Sequence, residues 1–137
     1  MAPLTPLAMV HVVAGILRDA AGRVLITQRP EGKHMAGGWE FPGGKLHAGE
    51  SAEEALTREL REELGVEIEG LERLMTIDHA YPDRRVIMET FLVRRCLGEP
   101  RGCEGQALRW CPILQLATAG ILPADVPIVE ALLESAR

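Results

Sequence analysis

The chain predicts a mixed β-sheet flanked by helices, and three observations carry that expectation. Residues 44–66, GKLHAGESAEEALTRELREELGV, contain one strong helix between Ser51 and a stop at Gly65. Apolar and β-branched runs that read as strands lie on both sides of that helix. An amphipathic helix over residues 126–135 closes the chain, with Ile128, Leu132 and Leu133 facing inward. Element order alone gives an α+β arrangement.

The individual elements follow in order. The first seven residues read as a flexible tail. Residues 9–18, MVHVVAGILR, form a strand buried on both faces. After a turn at 19–22, residues 23–28 (RVLITQ) return and complete a hairpin. The apolar run from Leu7 to Leu17 has no Lys or Arg before it and is interrupted by His11, which argues for a strand and against a signal peptide or membrane span. His11 itself reads as structural. A glycine-rich loop at 29–38 carries Arg29, Lys33 and His34 beside the acidic helix, where cations suit phosphates. It leads into a short strand at 39–41, with Trp39 expected in the core and Phe41 lining a site. Gly43 and Gly44 then read as a glycine turn that brings bare backbone close. Beyond the helix come a long strand at 66–79, a turn at 81–84 and a strong strand pattern at 85–96 (RVIMETFLVRRC). A loop at 98–102, a short strand at 107–111, a helical turn at 112–117 and a loop at 121–125 complete the series.

At 137 residues the chain is long enough to bury a core of its own and reads as a single domain over 1–137. Hydrophobic content of 47% and charged content of 26% are ordinary for a globular chain. A net charge of -5 argues against binding a nucleic-acid polymer, which needs a basic face. Cys96, Cys103 and Cys111 are an odd set without CxxC spacing, which fits reduced thiols better than disulfides or a zinc site. A cytoplasmic chain, monomeric or a weak homodimer, without membrane attachment, is the expectation.

The helix carries the chemistry. Ser51 and Glu54 make a capping box, and Gly65 stands where a left-handed stop is wanted. At about 100° per residue, Glu59, Glu62 and Glu63 crowd into one arc beside a stripe of Leu56, Leu60 and Leu64. Like charges at this spacing cost a few tenths of a kcal/mol per pair, and Arg58 and Arg61 relieve only part of it. A solvated acidic face would explain many such helices. Crowded hard oxygens with Glu50 nearby are also what Mg²⁺ or Mn²⁺ asks for. The spacing decides between these. Gly44, five residues, Glu50, seven residues, Arg58-Glu59-Leu60, one residue, Glu62-Glu63, one residue and Gly65-Val66 reproduce the Nudix box. The chain resembles a Nudix hydrolase.

That resemblance sharpens the fold to an α/β/α sandwich and extends beyond the box to the MutT-type branch, which removes oxidised guanine nucleotides. His34-Met35-Ala36, Glu40-Phe41-Pro42-Gly43-Gly44-Lys45, Tyr81-Pro82-Asp83-Arg84 and Glu104-Gly105-Gln106 are similar in place and order. The resemblance implies metal held by the Gly43 carbonyl and by Glu59, Glu62, Glu63 and Glu104, with Glu59 as general base. Arg29 and Arg84 would contact the nucleotide, His34, Phe41 and Asp125 would complete its site, and Gly44, Glu50 and Arg58 would support it. The cofactor would be Mg²⁺, with Mn²⁺ an alternative. The reaction would be attack of water on the β-phosphorus of a nucleoside triphosphate, most closely 8-oxo-dGTP, releasing the monophosphate and pyrophosphate. Asp125 departs from the branch, which has asparagine there. An ionised carboxylate accepts but cannot donate, so it opposes O6 of 8-oxoguanine and suits an exocyclic amino group. Burial that protonates it would restore a donor. A plain helix N-cap is its structural alternative. Segments 107–111 and 123–127 also resemble CTP and modified-dCTP pyrophosphohydrolases, so a cytosine or oxidised-adenine nucleotide is the second reading. A non-catalytic nucleotide-sensing module is the third; such modules often lose box glutamates, and all are present here.

Overall fold

Burial on both faces of the first strand splits the hydrophobic core in two, and that split sets the architecture. The computed structural model describes residues 8–136; the expected tail at 1–7 lies outside the described residues. The elements are β1 (Ala8–Ile16), β2 (Val24–Gln28), β3 (Trp39–Glu40), β4 (Gly43–Lys45), α1 (Ala52–Leu64), β5 (Glu67–Tyr81), β6 (Arg84–Leu97), β7 (Leu108–Cys111) and α2 (Val126–Ser135). Two 3-10 turns, Ile113–Thr118 and Pro123–Asp125, precede α2. Successive strand residues point to opposite faces. Val13 and Leu17 therefore pack with α1, Leu25, Ile68 and Phe91, while Ala14 and Ile16 pack with Val24, Ile26, Met88 and α2. Helices on the two faces of a mixed sheet make the expected α/β/α sandwich.

The main sheet has the order β4-β1-β6-β5, and a smaller one the order β3-β2-β7. β1 runs parallel to β6 and antiparallel to β4. This corrects the expected hairpin. The turn forms, with the Asp19 carboxylate accepting the Ala21 and Arg23 amides and a bridge between Arg18 and Val24. Beyond it, β2 pairs with β3 and β7 instead. A strand buried on both faces takes neighbours on both edges, and β6 and β4 supply them for β1. A second correction concerns Gly43 and Gly44, which form β4 and not a turn. A Cβ on Gly43 would sit 1.9 Å from the Val13 carbonyl oxygen, so only glycine lets these two strands approach so closely.

α1 obeys its local signals. Ser51 caps it, Glu54 completes the capping box, and Gly65 ends it at φ 69°. Leu56, Leu60 and Leu64 are fully buried. β5 and β6 run longer than expected and pair throughout, with a register shift between Arg73 and Met75. Thr90 fills the gap: its hydroxyl accepts the Met75 amide and donates to the Met75 carbonyl. α2 has its expected limits, with Ile128, Val129 and Leu132 buried and Leu133 partly so. Among the described residues no helix is long and apolar enough to cross a membrane.

Leu60→Ala opens a void under α1 where nothing can collapse easily, and should destabilise the chain by about 2–5 kcal/mol. Urea denaturation checks this, with the midpoint lowered and the slope unchanged.

Candidate active site

The two core halves leave a cavity of about 740 Å³ on one side of the sheet. Its floor is Val10 and Val12 of β1 with Val86 and Met88 of β6. Glu59, Glu63 and Glu104 give it an acidic wall, Arg29, Lys33, His34 and Arg84 give it a basic one, and Asp125 also lines it. Gly43 and Gly44 line the acidic wall. The fold thus brings together nine of the residues expected from the sequence: Arg29, His34, Gly43, Gly44, Glu59, Glu63, Arg84, Glu104 and Asp125.

α1 lays Glu59 and Glu63 on the cavity one turn apart. A Cβ on Gly44 would lie 2.3 Å from the Glu59 carboxyl carbon, so the bare glycine makes room for that group. Behind it, Arg58 grips Glu50 with two nitrogens at 2.7 and 3.0 Å, reaches the Lys45 carbonyl at 2.9 Å and touches Glu59 at 2.9 Å. These bonds, with the His47 amide, hold the Glu50 carboxyl down at about 2. Glu50 is therefore ionised and paired with Arg58. Glu62 does not line the cavity with the others. Its side chain is 57% exposed and 3.4 Å from Arg58, because the helical phase that buries Glu63 turns Glu62 outward.

Glu63 has the strongest electrostatic signature. Burial first, and then the charges of Glu59, Glu104 and Glu40, push its carboxyl up to about 8, against the Gly43 N–H that donates to it at 3.1 Å. Burial also raises Glu59, and Glu62 and Glu104 add to the rise while Arg58 opposes it. These oxygens suit a hard divalent cation, which would relieve the repulsion and favour the ionised forms. Among the described residues no three His, Cys, Asp or Glu side chains already form a closed metal cluster. The carboxylates face the cavity from separate points, and holding a cation requires side-chain rotation toward it.

On the opposite wall, Arg29 donates to Glu40 at 2.7 Å and to the His34 carbonyl at 3.2 Å. Nε2 of His34 is buried without a hydrogen-bond partner, and its ring meets Tyr81 edge-on at 5.6 Å. Arg84 pairs with Asp83 at 3.1 Å. Phe41 requires a correction: its ring is 3% exposed within the core and does not line the cavity. Glu40 faces the cavity, so the next side chain along the strand turns inward. What Phe41 contributes is its amide, which donates to Asp125 at 2.9 Å. Trp39 packs against the core as expected.

Asp125 makes no side-chain helix cap. It is buried, and burial pushes its carboxyl up to about 7; Glu40 adds to this, while the Phe41 amide and Arg29 oppose it. Two further residues had no role assigned from sequence. The Tyr81 hydroxyl accepts the Ala124 amide at 3.1 Å and fixes the turn that carries Asp125. Gln106 bridges α1 and the Glu104 loop. Both lie in segments whose likeness to the MutT-type pattern was visible, and that likeness was the available signal.

The NUDIX domain family model matches residues 13–131. An 8-oxo-dGTP diphosphatase of Escherichia coli strain K12 is 36% identical over 122 residues, which cover 89% of this chain and 95% of that protein. A CTP pyrophosphohydrolase of the same organism is 38% identical over 123 residues, covering 90% of each. A solved MutT structure from work on Aliivibrio salmonicida and Vibrio cholerae superposes with a TM-score of 0.80 at 35% identity, covering 93% of this chain and 98% of that one.

Glu63 and Asp125 both bind a proton more tightly folded than unfolded. The stability they contribute is complete below their unfolded pKa values and is lost as pH rises through about 7 and about 8. In chelator the melting temperature should therefore fall between about pH 5 and 8. Glu63→Gln and Asp125→Asn should each flatten that slope in calorimetric scans.

Proposed function

The chain belongs to the Nudix family, and on that premise we propose that it is a divalent-metal-dependent nucleoside triphosphate pyrophosphohydrolase acting on 8-oxo-dGTP. One observation carries the proposal: a single cavity joins an acidic wall fit for a cation to a basic wall fit for phosphates and ends at a buried group of about the right polarity for a base edge. Neither wall alone would suit a triphosphate in a chain of net charge -5.

In this reading Glu59, Glu63 and Glu104 with the Gly43 carbonyl would hold the metal, and Glu62 would join them only by turning its exposed side chain inward. Mg²⁺ is the proposed ion, with Mn²⁺ as the alternative. A bound divalent ion supplies charge neutralisation at the phosphates and acidifies water. Glu59 takes the proton from the attacking water, as a carboxylate that lines the cavity and is held from behind by Arg58. The water oxygen bonds to the β-phosphorus, the bond from that phosphorus to the bridging oxygen breaks, and the monophosphate leaves with that oxygen. Arg29 and Arg84 steady phosphate charge. Tyr81 and the Phe41 amide fix Asp125 against the base. Free nucleotides as substrate and free thiols at Cys96, Cys103 and Cys111 support a cytoplasmic setting.

A second reading keeps the chemistry and changes the base. Asp125 as a carboxylate accepts from an exocyclic amino group, which favours CTP or dCTP, and the similarity to a CTP pyrophosphohydrolase supports it. As the protonated acid it donates to O6 and suits 8-oxoguanine.

The deciding measurement is kcat/KM with Mg²⁺ on 8-oxo-dGTP, dGTP, CTP, dCTP and 2-oxo-dATP. The expected result is a preference for 8-oxo-dGTP over dGTP of about a hundredfold, or about 2.7 kcal/mol. A clear lead for a cytosine nucleotide would replace it with the second reading. Glu59→Gln should lower kcat by about 10²–10⁴-fold. A modest loss there, beside abolition in Glu63→Gln, would move the base to Glu63.

A further inference from the structure

The last carbonyls of a helix have no partner within it, and in α1 one of them belongs to Glu63. That carbonyl accepts two bonds from the loop that follows β6: the Cys103 amide at 3.0 Å and Nε2 of Gln106 at 3.0 Å. The other end of the same side chain, Oε1 of Gln106, accepts the Glu104 amide at 3.0 Å. One primary amide thus spans from the peptide that carries Glu63 to the peptide that carries Glu104. Only a group with a donor and an acceptor on one plane does this; a carboxylate cannot donate and a lysine or arginine cannot accept. The two neighbours, a carbonyl and an N–H, also fix which end is which. The loop closes tightly around the bridge, since a Cβ on Gly102 would lie 2.3 Å from the Gln106 carbonyl oxygen.

The bridge has work to do because of charge. Glu104 is exposed, and it lines the same cavity as Glu59 and Glu63, so three carboxylates repel one another across one space. In the absence of a cation that repulsion drives a loop-borne carboxylate outward, and metal binding must then recover the ordering cost. We propose that Gln106 is a positioning residue that pins the Glu104 backbone in register with the Glu63 peptide, so that only side-chain rotation is left to bring the two carboxylates onto a cation. The inference rests on Glu104 being a metal ligand, and its test separates the two.

The probe is Mn²⁺ alone, titrated into the full chain without nucleotide and followed by the electron paramagnetic resonance of free Mn²⁺. Gln106→Met keeps the length of the side chain and removes both bonds. It should weaken Mn²⁺ binding about tenfold, the lower end of what losing a partner behind a metal ligand costs. Glu104→Gln should weaken it as well. The double variant should bind no more weakly than Glu104→Gln alone, because Gln106 acts through Glu104. A purely structural role would lower the melting temperature and leave Mn²⁺ affinity well below that temperature unchanged. If Glu104→Gln has no effect, the reading of Glu104 as a ligand fails and takes the inference with it. If Glu104→Gln weakens binding while Gln106→Met does not, or the two losses add, the inference alone is overturned. Should Gln106→Met not fold, amide exchange in the wild-type, metal-free chain decides: protection at Glu104 supports the bridge, and exchange at the unstructured rate overturns it.

Discussion

Everything at this site depends on keeping several carboxylates together against their own repulsion. Glu59 and Glu63 share one helix face, Glu104 faces them from a loop, and Glu40 adds its charge to Glu63. The helix can bear this because its stabilisation comes from elsewhere. Each like-charge pair on α1 costs a few tenths of a kcal/mol, whereas each buried leucine on the adjacent stripe contributes about 1.5–3 kcal/mol. Leu56, Leu60 and Leu64 thus outweigh the acidic edge beside them. The capping box and the left-handed Gly65 fix where the helix starts and stops, and so fix which glutamates point into the cavity.

Arg58 and the two glycines act on the same problem from opposite sides. Arg58 places one positive charge beside Glu59 at 2.9 Å, while its other nitrogens bind Glu50 and the Lys45 carbonyl. It is anchored from behind and does not enter the cavity to neutralise the cluster. Glu50 makes that possible by staying ionised far below neutral pH. Gly44 leaves room for the Glu59 carboxylate, and Gly43 lets β4 lie on β1 and offers its amide to Glu63. A larger residue at either position would move the acidic wall, because β4 and α1 are in contact through it.

Features set by near neighbours in the chain were legible in the sequence. The capping box, the leucine stripe and the limits of α2 need only residues within a few turns, and all appear as expected. Features set by pairing between distant segments were not. The turn at 19–22 forms, yet β1 and β2 separate, because which strands neighbour β1 is decided by β6, whose paired residues lie seventy-six positions on. A two-glycine strand has no side-chain pattern to announce it. The motif spacing brought most of the site residues together, but the inward turn of Phe41, the outward phase of Glu62 and the bridge made by Gln106 depend on contacts across the fold.

The Asp125 side of the cavity poses the opposite electrostatic problem to the acidic wall. At the acidic wall a cation can offset repulsion; around Asp125 the surroundings are a buried turn, the Phe41 amide, and the opposing charges of Glu40 and Arg29. Its single buried hydrogen bond comes from the Phe41 amide to Oδ2. That leaves Oδ1 as the atom able to meet a base, and its chemistry changes with one proton. Burial pushes its carboxyl up to about 7, so neither form is strongly excluded near neutral pH. A bound base then tips the balance: one offering a carbonyl favours the protonated acid, and one offering an amino group favours the carboxylate. Asparagine at this position would present a fixed donor and acceptor and could not adjust. If Asp125 meets the base as proposed, specificity would follow the free energy of one protonation, which the packing of the turn against Tyr81 and Phe41 controls.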